Sequence, residues 1–214
     1  VSLADYEFAD LIDQQDKVRL LIDPTSSYAQ AAAYAMGRAM DDVIISAATG
    51  QAFTGETGSG TENAQTAIAA NVGSTTGLNI PKLAKAKETF DKADVDPSIP
   101  RHLIVSPEQI NNLLNVTEVT SSDFNTVKAL VQGDIDTFLG FKFTVSNRLA
   151  KDGNDRTCIA FAQDGITLGI GKDVNARIDE RADKSYATQV YYCMSIGATR
   201  MEQSKVIGIT CTEA

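Results

Sequence analysis

Beyond Gly133 the apolar residues of this chain fall on a period of two, whereas before it they fall mostly on the period of a helix, and no other feature constrains the fold as much. Phe141, Phe143 and Val145 alternate with Lys142, Thr144 and Ser146. Ile166, Leu168 and Ile170 alternate with Thr167 and Gly169. Ala176 and Ile178 alternate with Arg177, Asp179 and Arg181, and Val190, Tyr192, Met194, Ile196 and Ala198 form one long alternating run. Such alternation places one row of side chains on each face of a sheet. Cys158 to Ala162 is apolar on both faces, and Val206 to Cys211 closes the series of predicted strands.

The helical part is clearest from Ser27 to Thr49. Ala32, Met36, Ala39, Met40, Val43, Ile44 and Ala47 share one face, with Gln30, Arg38 and Asp41 off it. Ser27 and Gln30 have the spacing of a capping box, Asp23-Pro24 blocks extension backwards, and Gly50 stops the helix. Shorter helices are predicted over Pro81 to Ala93, over Pro107 to Leu114 behind Ser106 as N-cap, and over Asp123 to Val131 behind Ser122. The strand Arg101 to Val105 precedes the middle one. Val1 to Asp23 reads as a short strand and then a short helix, and the Gly-, Ser- and Thr-rich stretch Gln51 to Asn79 as a long loop or hairpin. Helices early and strands late make the α+β class.

Composition excludes several functions. With 214 residues the chain suits one domain or two connected lobes. A net charge of -9 argues against a protein that grips nucleic acid through clustered Lys and Arg. Cys158, Cys193 and Cys211 are odd in number and sit in apolar runs, so buried free thiols are expected in place of a disulfide framework. No apolar stretch is long enough to span a bilayer, and Asp5, Glu7 and Asp10 stand where a secretion signal would be basic.

Catalytic constellations are hard to assemble. The single histidine, His102, lies inside a predicted strand, where a local hydrogen bond is the ordinary role. Gly165, Gly169, Gly171 and Lys172 approach a phosphate loop, but Asp173 stands where Ser or Thr is required. Asp91, Asp94 and Asp96 lack calcium-loop spacing, and Asp179 and Glu180 point to opposite faces of a strand. No catalytic residue, cofactor site or metal site is expected.

Several phrases, in order, resemble the Hong Kong 97-type major capsid protein of tailed bacteriophages. They are Gly37 to Ile45 at the end of the long helix; Arg101 to Gln109; Ser121 to Gly133; Phe138 to Leu149 with its Leu-Gly, apolar strand and Ser-Asn; and Arg177 to Arg181 followed by Lys184 to Val190. The resemblance implies a two-lobed fold made from interleaved sequence. A peripheral lobe of long strands would take residues 1–50, with the 27–49 helix as its spine, and 172–214; an axial lobe of mixed sheet and helices would take 51–171. It further implies a subunit that self-assembles into pentamers and hexamers of an icosahedral shell. Packaged DNA would be enclosed without sequence-specific binding, with scaffolding, portal and decoration proteins as further partners. The shell would be assembled in the host bacterial cytoplasm to give the virion capsid. The family's N-terminal arm and extended loop are not matched by any part of the chain. Arg177, Asp179, Glu180, Arg181 and Lys184, charges of alternating sign on a strand-like segment, are candidate subunit-subunit contacts or else a solvated strand edge. An encapsulin-type compartment shares the fold implied, and a small-molecule-binding domain or enzyme using the Gln51 to Asn79 loop as a lid is a third reading.

Overall fold

The computed structural model describes residues 1–13, 25–56, 58, 60–62, 68–73, 76–114 and 137–213. The predicted helix Asp123 to Val131 and most of the predicted short helix before Asp23 lie outside them. The described chain forms two compact units, one of Val1–Ile44 with Leu168–Ala198 and the other of Ile45–Thr167 with Thr199–Ala214.

The first unit holds β1 (Ala4–Ile12), most of helix α1 (Thr25–Thr49), and the long strands β9 (Ile166–Arg181) and β10 (Ala187–Arg200). Its sheet has the order β1-β10-β9, so β10 is central and the other two are edges. β1 runs antiparallel to β10, with Tyr6 opposite Met194 and Phe8 opposite Tyr192. Val190, Tyr192, Met194 and Ile196 of β10 pack with Ile12, Ala32 and Met36, and Ala39, Met40 and Val43 border that cluster. The helical face expected from sequence is therefore the buried one as far as Val43. At the helix end Ile45 and Ala48 are buried, in place of Ile44 and Ala47. The strand expected within Val1 to Asp23 is β1, and it continues through Leu11 and Ile12.

Of the glycines that mimic a phosphate loop, Gly169 and Gly171 are residues of β9 in this unit, and Gly165 lies just before that strand. A β-carbon on Gly171 would lie 2.5 Å from Leu3 Cδ1, and one on Gly197 would collide with the Ser2 carbonyl oxygen. Bare backbone at these positions lets the Val1–Leu3 segment lie against the sheet.

The second unit is built on a sheet of order β11-β8-β4-β6-β5, with the short β7 (Lys151–Asp152) attached to β8. Its members are β4 (Arg101–Val105), β5 (Thr137–Phe138), β6 (Phe141–Val145), β8 (Asp155–Ala162) and β11 (Val206–Thr212). β4 and β6 are parallel; the other pairings are antiparallel. Helices α2 (Ile80–Lys92) and α3 (Pro107–Leu114) bury Leu83, Phe90 and Leu113 in the same core as Leu103, Phe141, Ile159 and Ile207. The Gly-rich stretch supplies the hairpin of β2 (Ala52–Thr54) and β3 (Gly60–Glu62), and then Ile68, bridged to Ile209 of β11.

The division differs at the C-terminus from the 172–214 segment expected from sequence: residues 199–214 cluster with the second unit, and beyond β10 Val206, Ile207, Ile209 and Cys211 are buried where β11 pairs with β8. β11 has the same apolar alternation as β10, and period alone cannot say which sheet a strand enters.

Candidate assembly surface

β9 is where the candidate contact residues lie. From Gly171 to Tyr186 every residue is exposed, while the neighbouring strand β10 is largely buried. Arg177, Asp179, Glu180 and Arg181 stand on β9, and Lys184 in the 3-10 turn Ala182–Lys184 that follows. Arg181 is held by its own hairpin. Its Nε and Nη2 donate to the Asp183 carboxylate at 2.7 and 2.6 Å, and its Nη1 donates to Gln189 Oε1 at 3.0 Å. The Arg181 guanidinium brings Asp183 down to about 2. Arg177, Asp179, Glu180 and Lys184 show no hydrogen bond or ion pair among the described residues.

Alternation puts Arg177, Asp179 and Arg181 on one face of β9 and Ile170, Val174 and Ile178 on the other. Those three apolar side chains are 54, 37 and 50% exposed, which the charges alone did not announce. An edge strand whose outer backbone side is unpaired among the described residues, with an exposed apolar row and unpaired charges, has the composition of a contact surface. The signal in the sequence was the spacing of Ile170, Val174 and Ile178.

Among the described residues, His102 and the cysteines are engaged elsewhere. His102 is half-buried and stacks on Phe161, ring centroids 5.4 Å apart. The contact is a ring stack in place of the expected local hydrogen bond, and burial with the nearby Lys142 charge lowers its pKa. All three cysteines are free and buried, as expected. Among the described residues no cluster of His, Cys, Asp and Glu could hold a metal ion, and no helix is long and apolar enough to cross a membrane.

Besides Arg101, three buried charges were not foreseen, and each fastens the end of a segment. Lys82 is fully buried, and its Nζ donates to the carbonyls of Thr76, Gly77 and Thr210 at 2.6, 2.8 and 3.2 Å. Burial lowers its pKa, and the neighbouring Cys211 and Cys158 oppose that shift. Arg200 donates to the carbonyls of Ala48 and Gly50, both at 2.9 Å, at the C-terminus of α1, whose last turn contains no basic residue. Glu213 accepts from Ser106 Oγ at 2.6 Å and lies 2.9 Å from Arg156 Nε. Burial pushes its carboxyl up, but Ser106, Lys151 and Arg156 outweigh that and hold it low. Ser106 is also the N-cap foreseen for α3, accepting from Gln109 N at 3.3 Å. The Gln109 side chain does not complete the capping box; it accepts from Leu78 N at 2.8 Å.

Comparison with known proteins agrees with a structural surface. The family profile described as phage capsid protein matches residues 1–213. No curated protein sequence matches significantly. Among solved structures, the capsid of Cyanophage P-SCSP1u is similar with a TM-score of 0.73 and 15% identity, over 98% of this chain and 72% of that one. The capsid of Cyanophage Pam1 gives 0.70 and 14%, over 100% and 76%. A Mycobacterium phage Che8 chain gives 0.65 and 20%, over 96% and 70%. The encapsulin-type alternative finds no support in these likenesses. With the Hong Kong 97-like fold shared by these structures and a family match along nearly its whole length, the chain belongs to the phage capsid protein family and is a structural subunit of a tailed-phage capsid.

Proposed function

We propose that this subunit builds five- and six-membered rings that close into an icosahedral shell around packaged double-stranded DNA. The observation that carries the reading is the run of exposed residues from Gly171 to Tyr186 on a strand whose partner is buried. A free subunit gains nothing from presenting Ile170, Val174 and Ile178 to water, whereas a neighbour can bury them. The unit of Val1–Ile44 and Leu168–Ala198 is then the counterpart of the peripheral lobe, and that of Ile45–Thr167 and Thr199–Ala214 the counterpart of the axial lobe. Arg177, Asp179, Glu180 and Lys184 supply polar contacts that are weak singly and multiplied by the copy number of a shell.

Assembly in the host cytoplasm, with scaffolding, portal and decoration proteins as partners, completes the proposal. The net charge of -9 suits a wall that encloses DNA without binding it. The test is negative-stain electron microscopy with light scattering on the product of the complete gene, alone and with its scaffold. Rings or closed particles are expected. A monodisperse monomer or dimer at high concentration under both conditions would overturn the reading.

A further inference from the structure

We propose that the β2–β3 hairpin of one subunit docks, through Phe53, into the pocket beside the β5–β6 turn of the next subunit in a ring. This inference rests on the shell reading and adds to it a specific contact between two copies of the chain.

The projecting half of the contact is the hairpin. Phe53 is an aromatic residue in a Gly-, Ser- and Thr-rich stretch and is 70% exposed, the largest exposure among the large apolar side chains identified. Among the described residues its strand pairs with β3 alone, in a separate two-stranded sheet. Burying a ring of that size is worth more than any other single exposed contact in this unit, and aromatic anchors of this kind dominate interfaces.

The receiving half is an open pocket of about 590 Å³ lined by Val95, Ile99, Pro100, Leu139, Lys87 and Asp94, among others. One wall is rigid: Arg101 Nη2 donates to Asp91 Oδ1 at 2.8 Å, and its guanidinium lies 5.3 Å from the Phe90 ring centroid. The pocket lip is Leu139, 37% exposed, in the two-residue turn between β5 and β6. Leu139 and Gly140 have φ of 52° and 86°, as a type I′ hairpin turn requires at both central positions. Asn is the residue that fits the first of these positions; a Leu there is strained, and it leaves 37% of its surface exposed at the pocket mouth. The Leu-Gly pair that stood out in the sequence thus holds an apolar lip in place at the cost of turn stability.

Placement makes the contact head-to-tail. The chain that leaves the hairpin reaches Ile68, which bridges to Ile209 on β11, at one edge of the five-strand path. Leu139 and Gly140 join β5 to β6 at the other edge. The pocket extends from there to Arg101 at the start of the central strand β4, and a projection on one subunit that fills a pocket on the next, related by rotation, makes a contact that closes into a ring. Charge agrees: Glu56 of the hairpin and Lys87 of the pocket are both exposed and have no partner among the described residues. The hairpin carries no basic residue from Gln51 to Glu62, so the Lys87 side of the pocket, away from Asp94, is the side that accepts it.

The test uses the product of the complete gene under conditions in which the wild type assembles. Phe53→Ser should cut the assembly rate at least about tenfold while leaving the free subunit's melting temperature unchanged. Leu139→Asn should cut assembly similarly and raise that melting temperature by a degree or more, because the turn is relieved. A Phe53→Cys, Leu139→Cys double variant, oxidised in air with copper-phenanthroline, should give a ladder of covalent oligomers ending at the ring size, with neither single variant doing so; the native thiols are buried. Normal assembly of both single substitutions and no ladder would overturn the docking while leaving the shell reading intact. Failure of the wild type to assemble would remove the shell reading itself. A ligand-dependent melting shift abolished by Leu139→Asn, with assembly unaffected, would make the pocket a small-molecule site and overturn the docking.

Discussion

The two units of the chain differ in how much of their own surface they cover. The unit of Ile45–Thr167 and Thr199–Ala214 closes a large core between a five-strand path and two helices, and Lys82, Arg200 and Glu213 tie its ends from within. The unit of Val1–Ile44 and Leu168–Ala198 buries one small cluster of seven residues among those described and leaves the distal half of β9 bare. One unit is complete as a folded body, and the other, on the proposed function, is the one that neighbours complete. A shell subunit needs both: a body stable before assembly and a surface whose burial rewards assembly.

That contrast can be broken by mutation. The largest effect belongs to the closed core: Leu103→Ala should cost about 2–5 kcal/mol of subunit stability, read by urea denaturation, because a fully buried side chain leaves a cavity. Lys82→Met comes next, near about 2–3 kcal/mol, since the carbonyls of Thr76, Gly77 and Thr210 lose their donor while the charge's own burial cost disappears. A cost below experimental error would show that the ammonium does not fasten the C-terminal strand. In the open unit, Gly197→Ala should cost about 1–3 kcal/mol by displacing the Ser2 backbone, with a cooperative melt retained.

Acid sharpens the comparison from another side. Glu213 has a folded-state pKa held below its unfolded value, so its contribution is present above the unfolded pKa and is lost as pH falls through the folded one. Stability of the closed unit should therefore fall on acidification below about pH 4.5, and Glu213→Gln should flatten that dependence. An unchanged slope would remove Glu213 from the account. The smallest effect is Ile178→Ser, expected within about 0.5 kcal/mol on the free subunit yet lowering particle yield. A large loss of subunit stability would mean that β9 is covered from within.

Much of the fold was legible because period and caps are local signals. The long helix, the strand-to-helix step at Ser106 and the late strands all follow from spacing within a few residues. What escaped depended on distant partners. The sheet that β11 enters depends on β8, which precedes it by a long connection, and the cation that meets the end of α1 and the carboxylate that meets Ser106 are choices made across more than a hundred residues. The candidate contacts were half legible: the charges of Arg177 to Lys184 mark the edge, but the exposure of Ile170, Val174 and Ile178 becomes visible only once β10 takes every buried position beside them. Phe53 and Leu139 were overlooked because one sits in a stretch that reads as loop and the other fits a familiar phrase, while their significance lies in exposure and a positive φ.

Hydrogen-deuterium exchange on free subunits and on purified particles tests the central claim most directly. The outward-facing amides between Lys172 and Arg181, those not bonded to β10, should exchange quickly in the free subunit and become protected on assembly, while those of β4, β8 and β11 are protected in both states. Equal exchange of the outward-facing amides before and after particle formation would show that the open strand is not what neighbours cover, and would contradict the account.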